Sequence, residues 1–442
     1  MHTEPMNARK RLLLFATKLG YQTRMFNAAA EKLGVDLVFV TDRCNRLDDP
    51  WNDRAIGVHF ENPEAAAHSV LEAQRESRVD GVLATGDRPG PTAAYVARSL
   101  GILHNHPASV EACRNKLGMR EVLRHAGLAV PAFRSVVLHP LPEPALLGIA
   151  FPCVLKPLSL SASQGVVRAN NREEFVAGAV RLKHLLESPE IRATREPSLD
   201  RMLVESYLPG REVAVEGLIT EGEPRILAIF DKPDPLVGPY FEETIYVTPS
   251  RLTGPEQQAI QKSFLDSVRA LGLTHGPVHA EFRLNEGGVW PIELAPRPIG
   301  GLCAQALRFN ISGTPEVIGL EELLLRHALD LPGASAQREL AASGVMMIPV
   351  PHGGILEKVD GEEEARRVPG ITKLEITARL HDYIAAWPEG SSYLGFLFAR
   401  ADDPATVEAS LRQAHARLHF TLTPRLPVEH PLAGKVQGTR SE

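Results

Sequence analysis

The run from His279 to Gly301, HAEFRLNEGGVWPIELAPRPIGG, constrains this chain more than any other stretch. Strand-like segments HAEFRL and VWPIEL flank Asn285-Glu286-Gly287-Gly288, so the run reads as a β-hairpin. A three-residue loop, Glu286 to Gly288, would place a glycine at the left-handed position of a bulged turn. Asn285 would then face Val289, Arg283 would face Pro291, and Glu281 would lie directly opposite Glu293 on one face. A two-residue turn would slip the register by one and send the two carboxylates to opposite faces. Facing carboxylates repel, and a bound divalent cation would resolve the repulsion. Mg²⁺ commonly takes one or two carboxylates together with phosphate oxygens and water. The competing reading of the hairpin alone is an exposed turn with solvated glutamates.

A chain of 442 residues has room for two to three domains. Its net charge of -6 leaves no electrostatic footprint for nucleic acid, so any phosphate binding should be local. Cys44, Cys113, Cys153 and Cys303 show no metal-ligand spacing. They read as small buried hydrophobes in a reduced compartment. No apolar run reaches the length of a membrane span. The apolar part of MHTEPMNARKRLLLF is too short for a signal peptide and reads as a first buried strand. A cytoplasmic location follows as the expectation.

The first hundred residues alternate strand and helix: RLLLFAT, TRMFNAAAEKLG, VDLVFVTD, GVLATGD, PTAAYVARSLG. This is a βαβ pattern. No GxGxxG follows the first strand, so a dinucleotide fingerprint is absent. PASVEACRNKLGMREVLRHAGLAVP reads as helical, with stop signals at Gly127 and Pro131. FPCVLKP is a strand, REEFVAGAVRLKHLLES a helix, and RMLVESYLPGREVAVEGLIT two strands around a connector. From there to about residue 310 the chain reads mostly as strand. VMMIPVPHGGILEKVDG looks β-rich, and SSYLGFLFARADDP precedes a helix, ATVEASLRQAHARLHF.

Lys156 sits on a strand that otherwise looks buried, and a small serine-rich loop follows it. Ser159, Ser161, Ser163 and Gly165 could turn backbone N–H groups and hydroxyls onto phosphate oxygens, and the lysine would add a point charge. A loop with no ligand is the alternative. In the connector, Glu205 and Glu212 flank Pro209-Gly210; exposed backbone there could read an adenine edge, although surface strands often carry glutamates.

The combined order is more specific than its parts. Asn115-Lys116-x-x-Met119-Arg120, Lys156-Pro157 with its loop, Val204-Glu205-x-x-Leu208-x-Gly210-x-Glu212, then Glu281, Glu293 and Arg297, resembles the ATP-grasp superfamily of carboxylate–amine ligases. The resemblance spans about residues 1–425. ELAPRPIGG and GSSYLGFLFARADDPATVEASLRQA make it most similar to the L-amino-acid ligases.

The resemblance implies an α/β and α+β multidomain chain. A Rossmann-like pre-ATP-grasp α/β domain would occupy residues 1–110. The ATP-grasp domain would span 111–330, with a small lid subdomain at about 140–205. A β-rich α+β region would follow at 331–425, then a flexible tail at 426–442. Lys116 and Lys156 would contact ATP phosphates, with Lys232 as a further candidate. Ser161, Ser163 and Gly165 would lie in the loop over them. Glu205 would approach the adenine amino group, Ser206, Tyr207 and Leu208 the adenine edge, and Glu212 the ribose. Glu281 and Glu293 would hold one or two Mg²⁺ ions, with Mn²⁺ as a substitute. Arg297 and the backbone of Gly300 and Gly301 would stabilise an oxyanion. His279, two before Glu281, would orient a substrate or act as a base, or serve only structure.

Two departures stand out. SLSASQG has a single glycine, and Ala295 occupies the position where many relatives carry a metal-binding asparagine. Either the second ion has fewer protein ligands or another residue substitutes. The implied reaction makes an acyl phosphate from a small carboxylate, an amino acid, and passes the acyl group to an amine, a second amino acid. SLSASQG and DKPDPLVGPYFEE are the candidate lids that exclude water. The rivals are a biotin-carboxylase-like or purine-pathway ligase and a non-catalytic ATP-binding regulatory module. The expected partners are small molecules, with neither nucleic acid nor membrane; a homodimer is the default assembly.

Overall fold

The computed structural model describes residues 9–17, 21–42, 55–140, 148 and 150–424. Cys44 and the expected tail at 426–442 lie outside the described residues. The chain opens with β1 (Arg11–Ala16), α1 (Tyr21–Leu33), β2 (Asp36–Thr41), β3 (Ile56–Gly57), α2 (Pro63–Ala73), β4 (Gly81–Ala84) and α3 (Gly90–Leu100). The strands form a parallel sheet in the order β3-β2-β1-β4. β1 is buried from Leu12 to Ala16, as a parallel strand covered on both faces must be.

Two helices follow, α4 (Pro107–Arg114) and α5 (Lys116–His125), where the sequence read as one helical stretch. The break is at Asn115. Its backbone is extended and its side chain accepts from the N–H groups of Leu117 and Gly118, so it caps α5. α5 then buries Lys116, Met119, Arg120 and Leu123, a single face at helical spacing.

A smaller antiparallel sheet, β5-β8-β6-β7, is built from β5 (Phe133–Val137), β6 (Cys153–Pro157), β7 (Val167–Ala169) and β8 (Arg201–Ser206). The helices α6 (Arg172–Glu187) and α7 (Pro189–Arg192) lie between β7 and β8 in the chain. The core of this unit joins Leu155, Phe175, Leu182 and Val204.

The remainder comprises β9 (Arg211–Thr220), β10 (Glu223–Asp231), β11 (Ile245–Thr248), α8 (Gly254–Ala270), β12 (Gly276–Asn285), β13 (Gly288–Ala295), β14 (Arg308–Asn310), β15 (Val317–Gly319), α9 (Leu320–Ala328) and β16 (Gln337–Arg338). It continues through β17 (Ala342–Ile348), β18 (Gly354–Asp360), α10 (Glu362–Arg366), β19 (Ile371–Ile376), β20 (Tyr383–Ile384), β21 (Gly395–Ala401), α11 (Pro404–His415) and β22 (His419–Thr423). One eight-stranded antiparallel sheet, β13-β12-β9-β10-β11-β17-β21-β19, runs through it. Two short sheets, β15-β14-β16 and β20-β18-β22, flank it. Among the described residues no helix is long and apolar enough to cross a membrane.

Two expectations need correction. The stretch before the hairpin is not mostly strand, because α8 fills it. Thr253 and Glu256 form a capping box and Pro255 occupies the first turn, the chemistry that starts a helix. α8 buries Ile260, Phe264 and Val268 against β9 and β12. The hairpin turn also differs. It has two residues, with Asn285 opposite Gly288, Arg283 opposite Trp290 and Phe282 opposite Pro291. A β-bulge between Glu281 and Phe282 takes up Ile292 as an extra residue, and Glu281 still pairs with Glu293. The bulge restores the face that the shorter turn would have lost.

Candidate nucleotide and metal site

A cleft lies between the small antiparallel sheet and the β9–β12–β13 end of the large one. α5 supplies Lys116, β6 supplies Lys156, the loop after it Ser163, and the β8–β9 connector Glu205 to Leu208. Glu212, Glu281 and Glu293 line the other side. These predicted residues therefore converge. Ser161 and Gly165 belong to the same loop but do not line the cleft, and Lys232, His279, Arg297, Gly300 and Gly301 are also outside the lining.

One end of the cleft carries excess positive charge. Glu205 is 3% exposed and receives Arg120 Nε at 2.6 Å and Lys156 Nζ at 2.7 Å. Burial works to raise its carboxyl, but the Arg120 and Lys156 cations outweigh burial and hold it at about 2. Burial in turn lowers the Lys156 ammonium. Arg120 also donates to the carbonyl of Ile292, the bulge residue, at 2.8 Å, and its Nη1 has no partner among the described residues. Arg120 thus ties α5 to both sheets. Lys116 donates to the Leu160 carbonyl at 2.5 Å and lies 3.8 Å from Glu293. Both Glu205 oxygens are taken by cations, an arrangement the sequence did not predict.

The other end carries excess negative charge. Glu212, Glu243 and Glu281 each offer an oxygen within 4.8 Å of the others. The buried Lys232 ammonium sits among them, 2.8 Å from Glu212 and 3.1 Å from Glu281, and also bonds Glu243. Lys232 is therefore engaged by carboxylates in this arrangement. Burial pushes the Glu243 carboxyl up to about 7, and neighbouring Glu281 adds to this against the pull of Lys232. Arg283 holds the second Glu212 oxygen at 2.7 Å, and Glu212 lines the cleft. Oxygen-only donors at this spacing fit a hard divalent cation. Glu243 stands beside Glu281 where Ala295 cannot contribute; Glu293 faces Lys116 instead of joining the group.

His279 is buried, bonds Glu216 and lies 3.6 Å from Glu281. Burial favours its neutral form, but Glu216 and then Glu281 raise it to about 9. In this arrangement it bridges Glu216 and Glu281. Arg297 is likewise occupied. Its guanidinium makes a two-pronged pair with Asp87, at 2.9 and 3.0 Å, which ties the N-terminal sheet to the hairpin end. Gly301 has a left-handed backbone, φ +63, and the Gly300 carbonyl accepts from Cys303 N–H.

The connector and the loop complete the site. The N–H groups of Ser206 and Tyr207 are spent on Ala132 and Pro152 carbonyls, and the Leu208 carbonyl accepts from Arg283. Of these three residues, Leu208 has the N–H for which no protein acceptor is found among the described residues. Gly210 is at φ +122, and a Cβ there would collide with the Leu284 carbonyl, so the connector needs glycine to lie against β12. The loop after Lys156 is pinned shut. Gly165 N–H donates to the Pro388 carbonyl at 2.8 Å, Trp387 Nε1 to Ala162 at 3.2 Å, and Gln164 Nε2 to Glu389 at 2.8 Å. The cleft encloses only about 70 Å³, whereas ligand pockets usually hold roughly 300–1,000 Å³.

Asp87 and Glu243 carried a weak signal at best. Asp87 ends GVLATGD, one turn past a buried strand, and Glu243 ends the lid-like DKPDPLVGPYFEE. Arg120 was legible as part of a motif but not as the partner of Glu205.

Fold and cleft together define an ATP-grasp protein, and sequence comparison agrees. Residues 149–306 match the ATP-grasp domain model and residues 26–102 the ATP-grasp N-terminal domain model. The chain therefore carries an ATP-grasp domain preceded by an ATP-grasp N-terminal domain. Residues 346–423 match L-amino acid ligase C-terminal domain 2, which relates it to the L-amino acid ligases in particular. The crystal structure of L-amino acid ligase from Bacillus licheniformis superposes with a TM-score of 0.78 at 27% identity, covering 95% of this chain and 100% of that one. Alanine–anticapsin ligase of Bacillus amyloliquefaciens is 26% identical over 260 residues, 55% of this chain and 53% of its own length. An uncharacterized protein, y4rH, of Sinorhizobium fredii is 25% identical over 352 residues, 78% of this chain and 69% of its own. The matched region thus spans about half the length of the alanine–anticapsin ligase.

Proposed function

We propose that the chain uses ATP to activate a small carboxylate, an amino acid, as an acyl phosphate and joins it to an amine, a second amino acid. The observation that carries this reading is the opposed charge of the two ends of one cleft: three cations, Lys116, Lys156 and Arg120, around the single buried carboxylate of Glu205, and clustered carboxylates at Glu212, Glu243 and Glu281. An ATP–metal complex needs both, phosphates at one end and a divalent cation at the other.

The roles follow from chemistry. A carboxylate is a poor acyl donor until its oxygen becomes a better leaving group. Transfer of the γ-phosphoryl group to that oxygen does this, and the acyl phosphate then loses phosphate as the amine attacks its carbonyl carbon. Lys116 and Lys156 neutralise and place the phosphates. The Leu208 N–H meets the adenine edge. Glu281, with Glu243 and Glu212 beside it, would hold Mg²⁺, which would supply charge neutralisation on the phosphates; Glu293, across the hairpin, faces Lys116. The loop at Ser161–Gly165 shields the acyl phosphate from water. Arg297, aligned by Asp87, presents a fixed positive charge near the acyl end.

The test is release of inorganic phosphate from ATP across a matrix of amino-acid pairs, with the amide product checked by mass spectrometry. Pair-dependent release with an amide product supports the reading. ATP binding with no release for any carboxylate–amine pair would instead favour a regulatory ATP-binding module.

A further inference from the structure

Arg283 lies on β12 two residues after Glu281, so strand alternation turns both side chains to one face, and both line the nucleotide cleft. It stands opposite Glu212 in the β12–β9 ladder. The residue is only 4% exposed, and its guanidinium spends three nitrogens on three separate segments. Nε donates to Glu212 at 2.7 Å, Nη1 to the Leu208 carbonyl at 2.7 Å and Nη2 to the Leu236 carbonyl at 2.6 Å. The centroids of the Tyr207 and Phe241 rings each lie 5.5 Å from its guanidinium carbon.

These contacts reach both ends of the cleft. Leu208 belongs to the β8–β9 connector. Glu212 gives its other oxygen to Lys232, which also bonds Glu243 and Glu281. A line of polar contacts thus runs from the connector through Arg283, Glu212 and Lys232 to the acidic group. Leu236 adds a second route, because it lies in DKPDPLVGPYFEE, the segment that ends at Glu243. Docking of the connector does not account for the arrangement. Asn285 Nδ2 already donates to the Pro209 carbonyl at 2.9 Å, and Gly210 already packs against the Leu284 carbonyl. Charge does not account for it either, since Lys232 already supplies Glu212 with a cation. What arginine adds is a rigid planar fork, whose donors point in directions fixed relative to one another.

We propose that Arg283 is a positioning residue that sets the nucleobase end and the metal end of the cleft in one frame. It acts through two other residues: it holds the connector at Leu208 for the base and turns one Glu212 oxygen towards the acidic group. The proposal rests on the ATP reading above. Groups that orient a metal ligand typically govern metal affinity by about 10–100-fold.

The experiment is calorimetric titration of the full chain, first with ADP in the absence of metal, then with Mg²⁺ at saturating ADP. Arg283→Met should weaken metal-free ADP binding about tenfold, the loss of a charge-assisted contact, and Mg²⁺ binding about 10–100-fold. Glu243→Gln should weaken only the second. Arg283→Lys keeps the charge and loses the fork, so it should resemble Arg283→Met at both ends; a role in charge alone would be rescued by lysine. The remaining contacts of Asn285 and Gly210 should keep both variants folded, which a thermal melt checks, and either folded variant suffices. The proposal is overturned if a folded Arg283→Met keeps either affinity, if Arg283→Lys restores both, or if neither variant folds. Wild-type chain that binds no ADP would overturn the ATP reading and this proposal with it, whereas wild-type binding that the variants share overturns this proposal alone.

Discussion

The two ends of the nucleotide cleft are built from the same residue types and behave oppositely. At the α5–β6 end, one buried carboxylate, Glu205, is shared by Arg120 and Lys156, with Lys116 close by. At the β12–β10 end, three carboxylates, Glu212, Glu243 and Glu281, share Lys232. The first end has cations to spare and is complete as protein structure. The second has anions to spare, and the surplus shows in Glu243, raised to about 7. The contrast separates a fixed frame from a site that waits for a partner. Removing a frame residue should cost stability; removing a residue of the acidic end should cost function first.

The sharpest way to break that comparison is Glu281→Gln, which should abolish ATP-dependent phosphate release while leaving the thermal melt close to wild type. Retained turnover would sink the metal assignment. Next is Arg120→Met, which leaves Glu205 buried with a single cation. It should destabilise the chain by about 3–5 kcal/mol, as removal of one partner of a buried pair does, read by urea unfolding. If the loss were under about 1 kcal/mol, the frame reading of this end would be wrong. The same pair predicts an acid limb. The folded Glu205 carboxyl is at about 2 against an ordinary value near 4.3, so its contribution is whole above the ordinary value. It is lost as pH falls through that value towards 2. Glu205→Gln should flatten this limb.

Glu243→Gln should reduce Mg²⁺ affinity by about 10–100-fold, measured by titration with ATP present, and change nucleotide binding without metal much less. Equal metal affinity in the variant would remove Glu243 from the cluster's function. The smallest effect is at Asn115→Ala. Loss of the α5 cap should cost about 1 kcal/mol and loosen Lys116 in the same turn, giving a modest rise in KM for ATP.

Much of the fold was legible because its signals are local. Buried parallel strands such as RLLLFA are continuous apolar runs, and helix ends carry Gly34 and Gly101. The order of lysines and glutamates along the chain marked the cleft. What stayed hidden depended on distant partners. Asp87 meets Arg297 across 210 residues and Arg120 meets Glu205 across 85, and no spacing rule reaches that far. Lys232 and Arg297 were read as free cations because burial beside acids cannot be seen in letters. α8 is a different failure: Thr253, Pro255 and Glu256 announced it locally, but its weak apolar periodicity was read as part of a strand-rich stretch.

The Ile292 bulge has a consequence for how this hairpin tolerates change. Facing of Glu281 and Glu293 depends on the parity of residues between them, and parity is shared between turn and strand. A two-residue turn with one bulge is equivalent to a three-residue turn with none. A one-residue insertion at Glu286-Gly287 can therefore be absorbed by straightening β13 at Ile292, and the carboxylates would keep their places. The loss would fall on Arg120, whose grip on the Ile292 carbonyl exists only while that residue is looped out. The hairpin's tip can lengthen by a residue without disarming the site, with α5 losing one of its moorings in exchange.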